Sequence, residues 1–171
     1  MQSITEGLDI NRKAVRLTLT KPKLIPKTKM KPQSQKERTK MQQELFNQDY
    51  PIYTTSINKT VTTYKNIPEI LAALQSKIEA HPVATYIGTF NHYEHTSSLG
   101  EAGEIADEII DAQNLLCCFG KSLMSPKMLA ARPRSIGVAE LSDSFVISFL
   151  KAPNPTANEA MEKWIKALQN V

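Results

Sequence analysis

The chain has 171 residues, 41% hydrophobic and 22% charged, with a formal net charge of +4; this length fits one domain, and no apolar run approaches the ~20 residues a membrane-spanning helix needs. A pI near 9.0 invites a nucleic-acid reading, but residues 1–40 hold eleven Lys or Arg against three Asp or Glu, a balance of +8, whereas residues 41–171 hold ten against fourteen, a balance of −4. The acidic body would repel phosphate, so nucleic acid is not expected as the partner of residues 41–171. A cytoplasmic protein with no membrane contact is expected, because the N-terminus lacks an apolar core followed by a small-residue cleavage site.

The chain divides into a basic leader, 1–40, and a single domain, 41–171. Within the leader, Val15, Leu17 and Leu19 alternate with polar residues like a short strand. Residues 21–40 combine three prolines with eight basic residues, a composition that cannot bury enough surface to offset its ordering entropy, and predict disorder. Three readings compete for this leader. It is a basic arm for nucleic acid or an acidic surface, an organelle transit peptide, or a mis-assigned start. The last is preferred, because Lys36-Glu37 is compatible with the purine run of a ribosome-binding site just before Met41, the point where the charge balance reverses.

In the domain, residues 52–64 are rich in β-branched and aromatic side chains and predict a first strand. Asn66, three residues before Glu69 and followed by Pro68, opens a helix over about 67–80 whose inward stripe is Ile67, Ile70, Leu71, Leu74 and Ile78. Val83 to Phe90 is apolar on both faces and predicts an interior strand. Residues 91–104 read as a loop, 104–112 as a short amphipathic helix, and 115–119 as a third strand closed by Gly120. A small helical turn is expected from Pro126 to about Ala131.

Residues 134–141 and 144–151 then predict a hairpin about Ser142-Asp143, its second strand central. Thr156 and Glu159 predict a capping box for a last helix that buries Ala160, Met161, Trp164, Ile165 and Leu168, with Trp164 as anchor. This order predicts an α+β fold, a two-layer sandwich with a mostly antiparallel sheet of about five strands and helices packed on one face.

Three clusters could carry chemistry. His92, Glu94 and His95 supply two imidazoles and a carboxylate at a strand end, a ligand set suited to a transition metal, the one cofactor these residues suggest. An extended segment would send His92 and His95 to opposite faces, and histidines that merely stabilise the surface explain them too. Cys117 and Cys118 are adjacent, expected reduced, with one thiol on each side of a sheet; Cys118 joins the metal set if the fold brings it beside the histidines. A small buried hydrophobe is the alternative for either thiol. Arg132 and Arg134 flank Pro133 and could hold an anion bidentately, or form a structural salt bridge with Glu140 or a helix carboxylate. No Walker loop, dinucleotide fingerprint, nucleophile elbow or Cys-x-x-Cys pair occurs.

The run Arg132-Pro-Arg-Ser-Ile-Gly-Val-Ala-Glu140, followed by Phe145-Val-Ile-Ser-Phe-Leu and Ala152-Pro-Asn-Pro155, resembles a small bacterial family, domain of unknown function 6858. Val83-Ala-Thr, His92-Tyr, His95-Thr and Cys118-Phe-Gly120 fit the same resemblance, which covers about residues 50–168 and implies no established activity. A looser similarity, in strand order and the cysteine-bearing strand, is to the domain of unknown function 302 group, and it implies an α+β sandwich. The expected function is binding of a small ligand, metal or partner by a homo-oligomer without self-contained catalytic machinery. The alternatives are a metal- or thiol-dependent redox enzyme using His92, His95 and Cys118, and a purely structural or oligomerisation protein.

Overall fold

Strands of alternating side chains, two pairs of them joined by three-residue turns at 47–49 and 141–143, build a single antiparallel sheet. The computed structural model describes residues 41–169, so the expectations for the basic leader lie outside the described residues. Its strands are β1 (Gln42–Phe46), β2 (Tyr50–Asn58), β3 (Ala84–Asn91), β4 (Asp111–Phe119), β5 (Arg134–Glu140) and β6 (Ser144–Leu150), in the order β1-β2-β6-β5-β4-β3. Every neighbouring pair is antiparallel. The helices are α1 (Ile67–Glu79), α2 (His92–Ser98) and α3 (Pro155–Lys166). Among the described residues no helix is long and apolar enough to cross a membrane.

Alternation selects the buried face of the sheet. Ile57, Leu115, Ile136, Phe145 and Ile147 are almost completely buried, and Tyr53 stacks on Phe149 at 4.9 Å between ring centroids. Helix α1 buries the five residues of its predicted stripe, each contributing about 1.5–3 kcal/mol. It packs against β3, β4, β5 and α3. Its start is fixed as the sequence predicts: the Asn66 side chain accepts from Glu69 N at 3.0 Å, and Glu69 Oε2 accepts from Lys65 N at 2.8 Å. The hairpin of β5 and β6 forms as expected, with β6 central, and Trp164 stacks on Phe119 at 5.4 Å.

Four expectations are corrected. The sheet has six strands instead of about five, because β1 pairs with β2 through a turn in which Asn47 and Gln48 adopt positive φ. Every residue of β1 is exposed, and its Gln-Gln-Glu-Leu-Phe sequence carries little of the β-branched pattern that marks a strand. The β3 strand is an edge instead of an interior strand. Its apolar residues on both sides reflect a bulge between Tyr86 and Gly88 that breaks the alternation, and Ile87 stands 54% exposed.

The helix expected over 104–112 is absent, because Asp111 and Ala112 pair with Glu140 and Ala139 and extend β4 to nine residues. A nine-residue helix is marginal on its own, and ladder pairing outcompetes it. Finally, α3 is capped by Asn154, whose side chain accepts from Thr156 N at 3.0 Å, not by a Thr156–Glu159 box. Asn158, inside the supposed box, is buried and clamps Ala152 instead.

Candidate functional site

The segment His92–Ser98 is helical, not a loop, because Asn91 at the end of β3 caps it, accepting from Glu94 N at 2.8 Å. Helical spacing changes the geometry expected of the histidines. Residues three apart lie on one side of a helix, and both imidazoles meet the Phe90 ring, His92 edge-on at 4.7 Å and His95 tilted at 5.5 Å between centroids. Glu94, two residues from one histidine and one from the other, lies off that side. Among the described residues, no group of three or more His, Cys, Asp or Glu side chains could hold a metal ion.

The two cysteines divide between the faces as alternation requires, Cys117 buried and Cys118 half-exposed. In the ladder Cys118 faces Thr85, whereas Asn91, just before the histidines, faces Gln113. Cys118 is therefore five residues along β4 from the histidine end, about 17 Å of extended chain, and the structure does not bring it beside His92 or His95. Burial, and to a lesser degree a charge on Cys118, push the Cys117 thiol up to about 11, while Arg134 opposes them. The Cys117 thiol stays protonated at neutral pH.

Arg132 and Arg134 flank Pro133, whose bond to Arg132 is cis, and both spend donors on backbone carbonyls. Arg132 Nη2 donates to Ser122 O at 3.2 Å. Arg134 Nη1 donates to Ala131 O at 3.4 Å and Nη2 to Leu150 O, so that side chain ties the start of β5 to the end of β6. Its Nε is buried and has no hydrogen-bond partner among the described residues. Burial lowers the Arg134 pKa, and Cys117 works in the opposite direction. Glu140, expected as a structural partner of these arginines, sits at the far end of β5 and pairs with Lys59 at 2.7 Å.

Sequence reasoning missed the exposed apolar surface at one end of the sheet. The register puts Phe46 opposite Tyr50 and Ile52 opposite Leu150, so Phe46, Tyr50 and Leu150 gather where β1, β2 and β6 meet. Leu45, Phe46 and Tyr50 are 65%, 57% and 55% exposed. At the same end, between β4 and β5, Leu123, Met124 and Leu129 are 58%, 84% and 58% exposed. Periodicity cannot find such residues, since an exposed leucine and a buried one look alike in a sequence. Their concentration at one end depends on the strand order.

Residues 41–170 match the Family of unknown function (DUF6858). No curated protein matches the chain. The match concerns the first of the two resemblances drawn from the sequence; the looser one, to the 302 group, stays an expectation.

Proposed function

We propose that this chain, which belongs to the family of unknown function DUF6858, is a partner-binding α+β domain that works as a homo-oligomer, without self-contained catalytic machinery. The observation that carries the reading is the concentration of large exposed apolar side chains at one end of the sheet, on the β1–β2 hairpin and on the segment between β4 and β5. Apolar surface gathered in this way marks sites of association more often than isolated exposed residues do. The reading includes a two-layer packing in which α1 and α3 cover one face of the sheet. A cytoplasmic setting belongs to it as well, supported by the unpaired thiols of Cys117 and Cys118.

Sedimentation velocity of the full 171-residue chain over a concentration series tests the reading. A reversible shift from monomer to a defined oligomer is expected. A monomer at every concentration overturns it.

A second reading is favoured by the placement of His92 and His95 on one side of α2 around Phe90. Two imidazoles on neighbouring helical positions suit a transition-metal ion that takes its remaining ligands from water or from another molecule. Calorimetric titration with zinc or nickel, comparing the wild type with His92→Ala, tests it. Equal binding in both removes the histidine pair from consideration. A redox enzyme that also used Cys118 would need that thiol and the histidines as two separate sites.

A further inference from the structure

The homo-oligomer reading says that copies associate; the surface also specifies how. The β1–β2 hairpin and the segment joining β4 to β5 are chemically complementary. Residues 42–58 carry two acids, Glu44 and Asp49, and no Lys or Arg. Residues 120–133 carry three bases, Lys121, Lys127 and Arg132, and no Asp or Glu. Each side also exposes three large apolar side chains, Leu45, Phe46 and Tyr50 on the acidic hairpin and Leu123, Met124 and Leu129 on the basic segment. Apolar surface ringed by opposite charge on the two sides provides both the contact and its selectivity.

The sheet order determines whether the two regions can satisfy each other within one molecule. Strands β2 and β6 stand between β1 and β5, and the basic segment enters β5. At the usual strand spacing, β1 and β5 are about 14 Å apart. Leu150, at the end of β6 and 44% exposed, lies between them in that order. A twofold axis near Leu150 would carry each hairpin onto the basic segment of the other copy, as an isologous interface requires, with residue i meeting j and j meeting i.

We propose that two copies of this chain form a closed twofold dimer in which the acidic β1–β2 hairpin of each docks on the basic 120–133 segment of the other, with Leu150 near the axis. This rests on the homo-oligomer reading above and adds to it the interface and its polarity.

Charge exchange in the full-length chain tests the proposal. One variant carries Glu44→Lys and Asp49→Lys, the other Lys121→Glu and Lys127→Glu; all four residues are exposed. Each variant alone sets like charge against like at both contacts, so self-association should weaken by about a hundredfold. Mixed, the two restore opposite charge at both contacts and should form a heterodimer of near wild-type affinity.

Sedimentation velocity reads all three samples, with circular dichroism confirming that each variant is folded. Variants that dimerise as well alone as the wild type, or a mixture that stays monomeric while the wild type dimerises, overturn this interface and leave the homo-oligomer reading standing. A wild type that is monomeric throughout overturns both. Should either charge variant fail to fold, Leu150→Cys in a Cys118→Ser background gives an independent result: rapid oxidation to a covalent dimer supports the axis, and a persistent monomeric thiol under conditions where the parent dimerises overturns it.

Discussion

The guanidinium of Arg132 lies against the α-carbon of Gly120, so that a Cβ at residue 120 would stand 3.1 Å from Arg132 Cζ and closer still to Nη2. Gly120 also has φ of +121, outside the region that side-chain-bearing residues adopt. Gly120, the residue just after β4, is therefore held by two separate constraints, one steric and one of backbone conformation.

Gly120→Ala is expected to cost about 1–3 kcal/mol from the backbone alone, with the contact against Arg132 adding to it. Adding Arg132→Ala to that variant should recover the steric part and leave the backbone part. Urea unfolding of the two single variants and the double variant separates them. Simple additivity of the two substitutions would show that the contact has no energetic weight.

Asn158 clamps a single residue, accepting from Ala152 N at 2.7 Å and donating to Ala152 O at 3.0 Å, and it is buried while doing so. Asn158→Asp keeps the acceptor but replaces the donor by an oxygen aimed at a carbonyl. The protonated carboxyl restores the donor, so folding raises the pKa of the introduced acid. The sign follows: the variant should be destabilised at neutral pH by about 1–3 kcal/mol and should recover as pH falls through that raised value. Thermal unfolding of wild type and variant between neutral and mildly acidic pH checks this, and a penalty that does not depend on pH would refute the clamp.

Much of the fold was legible because local chemistry and final structure agree. The Asn66–Glu69 cap, the α1 stripe and the β5–β6 hairpin are all short-range patterns, and all three form. Several failures are long-range or depend on one extra residue, while the caps of α2 and α3 are short-range signals that were missed or misplaced. The edge position of β3 is invisible from its own sequence, and the bulge at Tyr86–Gly88 makes a half-exposed strand look apolar on both faces. Asn91 carried the missed signal for α2: an Asn three residues before Glu94 has the same spacing as Asn66 before Glu69. The candidate site suffered most from this, because reading His92 and His95 as extended placed them on opposite faces, whereas the helix turns both onto Phe90.

The adjacent thiols should differ sharply in reactivity. Cys118 is half-exposed, whereas Cys117 is buried and its pKa is pushed up to about 11 from an ordinary 9.0. Alkylation of the native protein near pH 8 should modify Cys118 first and reach Cys117 only with unfolding. Folded protein keeps the Cys117 proton while unfolded chains lose theirs near the ordinary value, so the contribution of Cys117 to stability is intact below pH 9 and is lost as pH rises toward 11. The Cys117→Ala variant should lack that part of the alkaline decline. Parallel urea midpoints for wild type and variant across this range would refute the assignment.

Trp164 closes the core at the end where α1 finishes. It stacks on Phe119 with an interplanar angle of 14°, and His81, just past α1, meets both rings edge-on at 5.6 and 5.7 Å. Because the three rings come from α3, β4 and the α1–β3 connection, their contact ties together segments far apart in sequence. Trp164→Ala should cost about 3–5 kcal/mol. Trp164→Phe, which retains a ring to stack on Phe119, should cost markedly less. A double-mutant cycle with His81→Ala separates ring contact from simple volume. A coupling of about 0.5–1.5 kcal/mol between positions 81 and 164 is expected for an edge-on aromatic pair, and a coupling of zero would reduce His81 to a neighbour that only fills space.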